Sequence, residues 1–553
     1  MKLAPKSKRT EVERGRHTRS MRHPVQRWLL TLESRGMLLL IIGLMGGTAA
    51  GARPRPQPWP WPIQNIYEEL VVQYATNRIC RVKEQGKCKE WDTVKLRSYN
   101  GGLVGPIIEA RPGDTLHIHL KNQLPPEPRP PTPDPNVPHG FNVTNLHTHG
   151  LHVSPEGNSD NVLLAFGPQE EFEYEIKIPT DHPAGTYWYH AHKHGSVALQ
   201  VSSGMVGALI IRGNIDELPV IKAAQERIFV FEQIPYALVD DPYVPGTQAN
   251  MIESYQVFTP NNWELSGRRT LINGEFVPTF KMKPGEVQRW RFIHAGTMES
   301  LRLKLLRESD SRTVMMQHQI AHDGITSGRI DTVTETEMYP GYRVDVMVKA
   351  EQRPDTYLLI DEASPPERSL NGVAETRKIL ARVVVEGPSV QMSLPDERAL
   401  ATLVPLEPIT NEELTGTQEV KFDMDLSVTP PRFLINGKPF DPNAPPRRLV
   451  LGNVEEWFIS SSSHQGHPFH IHVNPFQVMK SNGKHVWKDT LFVGANQSAR
   501  VRTRYERYIG RFVMHCHILD HEDMGMMELQ EIVPPDSTGG DGGGGGGGGH
   551  HGH

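Results

Sequence analysis

Four histidine-rich stretches set the hardest constraint on this chain. They are His147-Thr148-His149-Gly150, His190-Ala191-His192, His467-Pro468-Phe469-His470-Ile471-His472, and His515-Cys516-His517 followed by His521 and Met526. In a strand, residues i and i+2 face the same way, so each H-x-H pair aims two imidazoles at one place. His515 and His517 then share one face, and the Cys516 thiol points to the other. The 26 His in 553 residues predict about one H-x-H pair by chance. The chain has seven, counting His117/His119, His192/His194 and His551/His553. His117/His119 read as the polar face of a strand, and His152, His194 and His464 as ordinary, with His464 near a substrate entrance.

The residues around these stretches spell strands. Thr115-Leu116-His117-Ile118-His119-Leu120, Phe172-Glu173-Tyr174-Glu175-Ile176-Lys177-Ile178 and Arg343-Val344-Asp345-Val346-Met347-Val348 alternate with period two. No long stretch sustains helical periodicity, and 49 Gly and 46 Pro supply turns between runs. That pattern means half-buried strands in sandwiches. A loose repeat runs through the chain. Asn100-Gly101 precedes Arg111-Pro112-Gly113-Asp114, Asn273-Gly274 precedes Lys283-Pro284-Gly285-Glu286, and Asn436-Gly437 precedes Gly452-Asn453-Val454-Glu455. Length allows about three or four domains. The repeat selects three β-domains, at 63–214, 215–387 and 388–535, with a Pro-rich loop at 124–139 inside the first.

The ends read differently. Residues 1–36 carry a net charge of about +7, and Met37 to Ala52 is apolar and small. Together 1–52 make a signal peptide, a run too short for a comfortable membrane span. Export to the periplasm or the extracellular space is expected, with no stable membrane insertion once the leader is removed. Residues 53–62 form a stiff Pro-rich spacer, and 536–553 a Gly/His tail that cannot pack. Cys80 and Cys88 could close a small disulfide. Three Cys exclude a disulfide-dense scaffold and a Cys-rich zinc array, and a net charge of -5 argues against nucleic acid as a partner.

The donor set names the metal class. Structural zinc usually takes four ligands rich in thiolate, whereas here ten imidazoles surround one Cys. Two His, one Cys and a weak Met make a blue-copper set, which His467, Cys516, His521 and Met526 can supply. The other eight His form four pairs, enough for a multinuclear cluster. Cys516 lies between two of them, so a short covalent path joins a one-electron centre to a multi-electron one.

In all four motifs, and in the order of the repeat, the chain resembles the three-domain, laccase-like multicopper oxidases over about residues 65 to 535. The resemblance implies an all-β chain of three consecutive cupredoxin-like Greek-key sandwich or barrel domains, the second acting mainly as a spacer. It implies four copper ions. His467, Cys516 and His521 bind type 1 copper with Met526 axial, and His147 and His470 bind type 2. His192, His472 and His515 hold one type 3 copper; His149, His190 and His517 hold the other. Asp160 and Glu522 are the expected carboxylates for proton delivery. The implied activity is one-electron oxidation of phenols or aromatic amines coupled to reduction of O2 to water, by a monomer whose partners are O2 and a small reducing substrate. Three rivals stand beside it. A metal oxidase acting on Cu(I), Fe(II) or Mn(II) lacks the usual Met-rich insert. A copper nitrite reductase is disfavoured by the full His515-Cys516-His517 relay. A non-catalytic copper protein on the same fold would lack ligands, and none is missing.

Overall fold

The computed structural model describes residues 61–535 except 131, 259–268, 298, 371, 429–430, 463–464 and 480–483. The expected leader, most of the spacer, the Gly/His tail and His464 lie outside the described residues. Strands form six sheets, which fall into three successive pairs along the chain. The first pair joins a six-stranded sheet built on Asn65–Glu84 and Lys87–Tyr99 to a four-stranded one containing His147–His149 and Gly185–His190. The second pair is built around Val287–His294 and Lys378–Val385, and the third around Val454–Ser461 and Gly510–Cys516. A hairpin of Ala237–Asp240 and Gln248–Met251 leaves the second stretch of chain and extends the first sandwich's sheet.

The repeat has a physical form. In each sandwich the opening strand runs parallel to the strand that follows the Gly-containing turn: Asn65–Glu84 with Thr115–Asn122, Gln225–Ile234 with Val287–His294, Gly416–Asp425 with Val454–Ser461. The Asn-Gly pairs all turn through the left-handed region, with Asn100, Asn273 and Asn436 at φ 54, 53 and 52. Asn and Gly tolerate that conformation best. Each Asn also accepts a backbone N–H with its side-chain oxygen, from Val71 at 2.7 Å, Val230 at 2.8 Å and Lys421 at 2.9 Å. One turn is thus built three times.

Half-burial holds where expected: Thr115–Asn122 alternates buried and part-exposed residues throughout, and Glu171–Lys177 alternates more and less exposed ones. It fails at Arg343–Lys349, where all but the last residue are buried. The outward polar side chains there do not meet water. Asp345 accepts from Arg289, Arg291 and, at 2.5 Å, from Thr186 of the first sandwich. The strand's second face is therefore an inter-sandwich seam, satisfied by ion pairs rather than solvent. Among the described residues no helix is long and apolar enough to cross a membrane. Cys80 and Cys88 are joined by a disulfide.

Glu232, 1% exposed on Gln225–Ile234, accepts the Gly274 N–H at 2.9 Å, and its other oxygen has no partner. Burial pushes its carboxyl from 4.5 up to about 8. A raised folded value means the folded chain holds the proton. The contribution is therefore full below the unfolded value and is lost as pH rises through about 8. Glu232→Gln should match the parent's melting near about pH 5 and exceed its stability near about pH 8.5 by on the order of 2 kcal/mol. Parallel melting curves at both pH values would remove this assignment.

Candidate metal centre

Two buried groups of ligand-type side chains are present, the smaller within the third sandwich and the larger where strands of the first and third sandwiches meet. The smaller comprises His467, Cys516 and His521, whose ligand atoms lie within 4.8 Å of one another. His467 opens the strand His467–Ile471 and Cys516 ends its antiparallel neighbour Gly510–Cys516, while His521 comes from the short helix Leu519–Asp523. Cys516 Sγ is 3.5 Å from His467 Nδ1 and 4.0 Å from His521 Nδ1. Two backbone bonds close the intervening loop: Cys516 N–H donates to Met526 O at 3.1 Å and Met526 N–H to His521 O at 2.9 Å. Met526 is fully buried in the same apolar cluster as Cys516, whereas Met527 belongs to a separate one. Met526 sits just before the strand Met527–Val533, tied by its backbone to both Cys516 and His521, whereas Met527 opens that strand. Phe433 stacks on His521 with ring centres 4.2 Å apart.

Burial pushes the Cys516 thiol well above its usual range and lowers both imidazoles, His467 to about 3. Neutral imidazoles offer lone pairs, and a thiolate forms here only with a cation in the proton's place.

The larger group contains His147, His149, His190, His192, His470, His472, His515 and His517, each at most 2% exposed. His192 Nε2 and His472 Nε2 face His515 Nε2 at 3.2 and 3.3 Å. The rings of His149 and His517 are 5.0 Å apart, those of His149 and His190 5.7 Å, and those of His190 and His517 5.9 Å. His147 and His470 lie 6.0 Å apart, each stacked at 3.9 Å on a ring of the other sandwich, His472 and His149 respectively. Of the four pairs only His147–His149 lies within a strand. His192, His472 and His517 sit just past strand ends, where ladder pairing stops and the backbone leaves room for a metal cluster.

Most rings are tied at one nitrogen and open at the other. His190, His470 and His515 use Nδ1 toward the carbonyls of Ala191, Asp489 and Cys516 at 2.9, 2.8 and 3.0 Å. The Nε2 atoms of His147, His190 and His470, Nδ1 of His149 and both nitrogens of His517 are buried without a hydrogen-bond partner. Orphaned buried polar atoms are rare, and five imidazoles sharing one enclosed space fit a site for metal cations. Desolvation, and then the crowding of like rings, depresses their proton affinity, so they stand ready as neutral ligands.

Both expected carboxylates lie behind ligands. Asp160, 6% exposed, sits 3.0 Å from His147 Nδ1 and accepts the Thr148 N–H at 2.8 Å; burial raises its carboxyl to about 7. Glu522, fully buried, spans His192 Nδ1 at 3.4 Å and His515 Nδ1 at 3.0 Å, and burial holds it above the usual carboxylate range. His117 and His119 instead face Asn65 and Glu171 at 3.1 and 3.0 Å on a half-exposed sheet face. His152 Nδ1 donates to Val473 O at 2.9 Å, and none of these three rings joins the group.

Sequence reasoning missed a buried network on the far side of His149. Asp489 takes His149 Nε2 at 3.1 Å and the Thr490 hydroxyl at 2.8 Å, and is gripped by Arg343 at 2.8 and 2.5 Å. Against the upward push of burial, that guanidinium holds the Asp489 carboxyl below its usual range. Asp323 completes the network with Lys488 at 3.0 Å. Two glycines make room. A Cβ on Gly150, at φ 89, would lie 2.3 Å from Arg343, and one on Gly341, at φ 88, would lie 2.9 Å from the His517 ring. Arg343, Gly341 and Asp323 belong to the second sandwich. It is therefore more than a spacer, because it supplies one wall of the cluster. No motif flags Asp489, and Arg343 reads only as the start of an alternating strand.

Three family models described as multicopper oxidase match residues 139–215, 239–378 and 407–536, together more than half of the chain. A multicopper oxidase of Staphylococcus aureus is 26% identical over 455 residues, 78% of this chain and 82% of that protein. A laccase of Bacillus stratosphericus is 26% identical over 490 residues, 79% of this chain and 91% of that protein. Among solved structures, a Campylobacter jejuni multicopper oxidase described as a metallo-oxidase aligns with a TM-score of 0.62 at 24% identity, covering 84% of this chain and 91% of its own.

Proposed function

Because the chain belongs to the multicopper oxidase family, a copper-dependent oxidoreductase using O2 as acceptor, we propose that its reducing substrates are small phenols and aromatic amines. We also assign its coppers residue by residue. His467, Cys516 and His521 with Met526 take the type 1 ion. His147 and His470 take type 2. His192, His472 and His515 take one type 3 ion, and His149, His190 and His517 the other. The observation that carries the reading is the junction at residues 515–517. Cys516 faces one buried group while its two chain neighbours belong to the other. When bound, copper supplies the one-electron chemistry that couples substrate oxidation to reduction of O2 to water. The chain supplies geometry. Burial keeps ten imidazoles neutral, backbone carbonyls and carboxylates fix which nitrogen points inward, and apolar packing keeps bulk water from Cys516.

His521 is 4% exposed and His467 is fully buried, so an electron donor meets an imidazole edge rather than the thiolate. That favours donors able to give up single electrons at a distance, as phenols and aromatic amines do. A relative named as a laccase is consistent with this class. A second reading, oxidation of Cu(I), Fe(II) or Mn(II), is favoured by Asp423. Its carboxylate is 34% exposed and acts electrostatically on His467. O2 uptake by copper-loaded protein with a methoxyphenol, Cu(I), Fe(II) and Mn(II) separates the two. Phenol turnover that survives Asp423→Asn supports the first reading. Metal turnover alone, lost in that variant, supports the second. No uptake with any donor would overturn both.

Asp160 and Glu522 are proposed to hold and pass protons next to the cluster. Asp160→Asn and Glu522→Gln should each slow turnover by roughly 10–100-fold while copper content stays normal. Full activity with full copper would end that role. The domain limits 63–214, 215–387 and 388–535, a monomeric state and export to the periplasm or outside the cell complete the proposal. The Cys80–Cys88 disulfide supports export, since such bonds persist in oxidising compartments.

A further inference from the structure

We propose that a basic cavity between the first and second sandwiches binds a small organic anion, a carboxylate or phosphate monoester with an apolar body. The cavity holds about 650 Å³, within the range of ligand pockets. Arg81, Lys83, Arg269, Arg377, Lys378 and Arg382 line it, against a single lining carboxylate, Glu308. Arg81 and Lys83 come from the strand Asn65–Glu84, cross-linked to its partner strand by Cys80–Cys88 near the hairpin tip. The other four come from the second sandwich and the strands that build it.

Three features make this a built site rather than a charged surface. Lys83 Nζ donates to the carbonyls of Phe276 at 3.2 Å and Val277 at 2.8 Å, which pins the hairpin over the second sandwich and lodges an ammonium there without a carboxylate. Arg81, Arg377 and Lys378 are held by Glu90, Glu362 at 2.7 Å and Glu299 at 2.9 Å, none of which lines the cavity, while Arg382 is paired at 2.7 Å with the lining Glu308. Those pairs fix the cations in place and leave the positive charge as the dominant sign inside. Phe276, Val277 and buried Leu380 add apolar wall beside them. Val277 stands at φ 48, a conformation in which a β-branched residue is an outlier, and such strain collects at ligand clamps.

The Lys83 ammonium, held only by carbonyls, pairs with the ligand's carboxylate or phosphate beside the other lining cations, and the apolar wall takes the organic body. No lining residue lies in the third sandwich or among the proposed copper ligands, so this site is separate from the oxidase centre. Isothermal titration of the copper-loaded full chain tests it, with 2-naphthoate and 1-naphthyl phosphate as probes and 2-naphthylmethylamine as the cationic control. Both anions should bind and the amine should not. Lys83→Ala and Arg382→Ala should each weaken anion binding by about tenfold or more, with blue absorption and methoxyphenol turnover unchanged. Equal binding of the amine, undiminished anion binding in both variants, or no binding of either anion at millimolar concentration would overturn the proposal.

Discussion

Arg343→Met should cost the protein both stability and a copper ion. Arg343 is fully buried and bidentate to Asp489, which also holds His149 Nε2. Removing one partner of a buried ion pair leaves an uncompensated charge, at a cost of about 3–5 kcal/mol. Asp489 must then take up a proton or move, and either response frees the His149 ring. The expected result is a melting temperature lower by several degrees. Copper falls below four per chain, and more of what remains is visible by electron paramagnetic resonance because the type 3 pair is incomplete. Arg343→Lys should recover part of the stability, since an ammonium keeps the charge but lacks the planar fork. Adding Asp489→Asn to Arg343→Met should restore melting better than it restores copper, because it removes the unpaired charge without restoring the tether. Normal melting and full copper in Arg343→Met would show that the second sandwich has no hold on the cluster.

Cys516→Ser should remove the blue absorption and lower turnover by roughly 10³-fold or more, with little change in fold. The two side chains are nearly the same size, so the fully buried site is not hollowed out. What changes is the donor. A serine hydroxyl does not ionise where burial already raises a thiol, so no anionic ligand stands between His467 and His521. The eight remaining imidazoles are untouched, and copper content should settle near three per chain. Blue colour or ordinary turnover retained in this variant would remove Cys516 from the electron path.

The two variants test parts of the site that were unequally legible. Cys516 stands in a dense motif, and the spacing of the family it resembles selects Met526 over Met524 and Met527. Arg343 stands in a run whose alternation promised a half-exposed strand. Asp489 follows Lys488 with no histidine beside it. Each acts through a partner more than a hundred residues away, Arg343 on Asp489 and Asp489 on His149. Local spacing carries no trace of such pairs. Asp160 and Glu522 fall between these cases. The family resemblance made them candidates, but only the fold puts each of them behind a ring nitrogen.

By itself the sequence determined the strand-rich class, the threefold turn repeat at Asn100, Asn273 and Asn436, and the donor set of ten imidazoles, one thiol and one thioether. These follow from residue type and short-range periodicity, which act within a few bonds. The tertiary structure alone decided that the paired histidines leave their strands at a common junction, that five of them keep an unpartnered nitrogen, and that Arg343, Gly341 and Asp323 bring the second sandwich to the cluster. Those outcomes depend on which sheet faces are buried against which, and burial between distant segments is set by the packing of the whole chain rather than by any window of it.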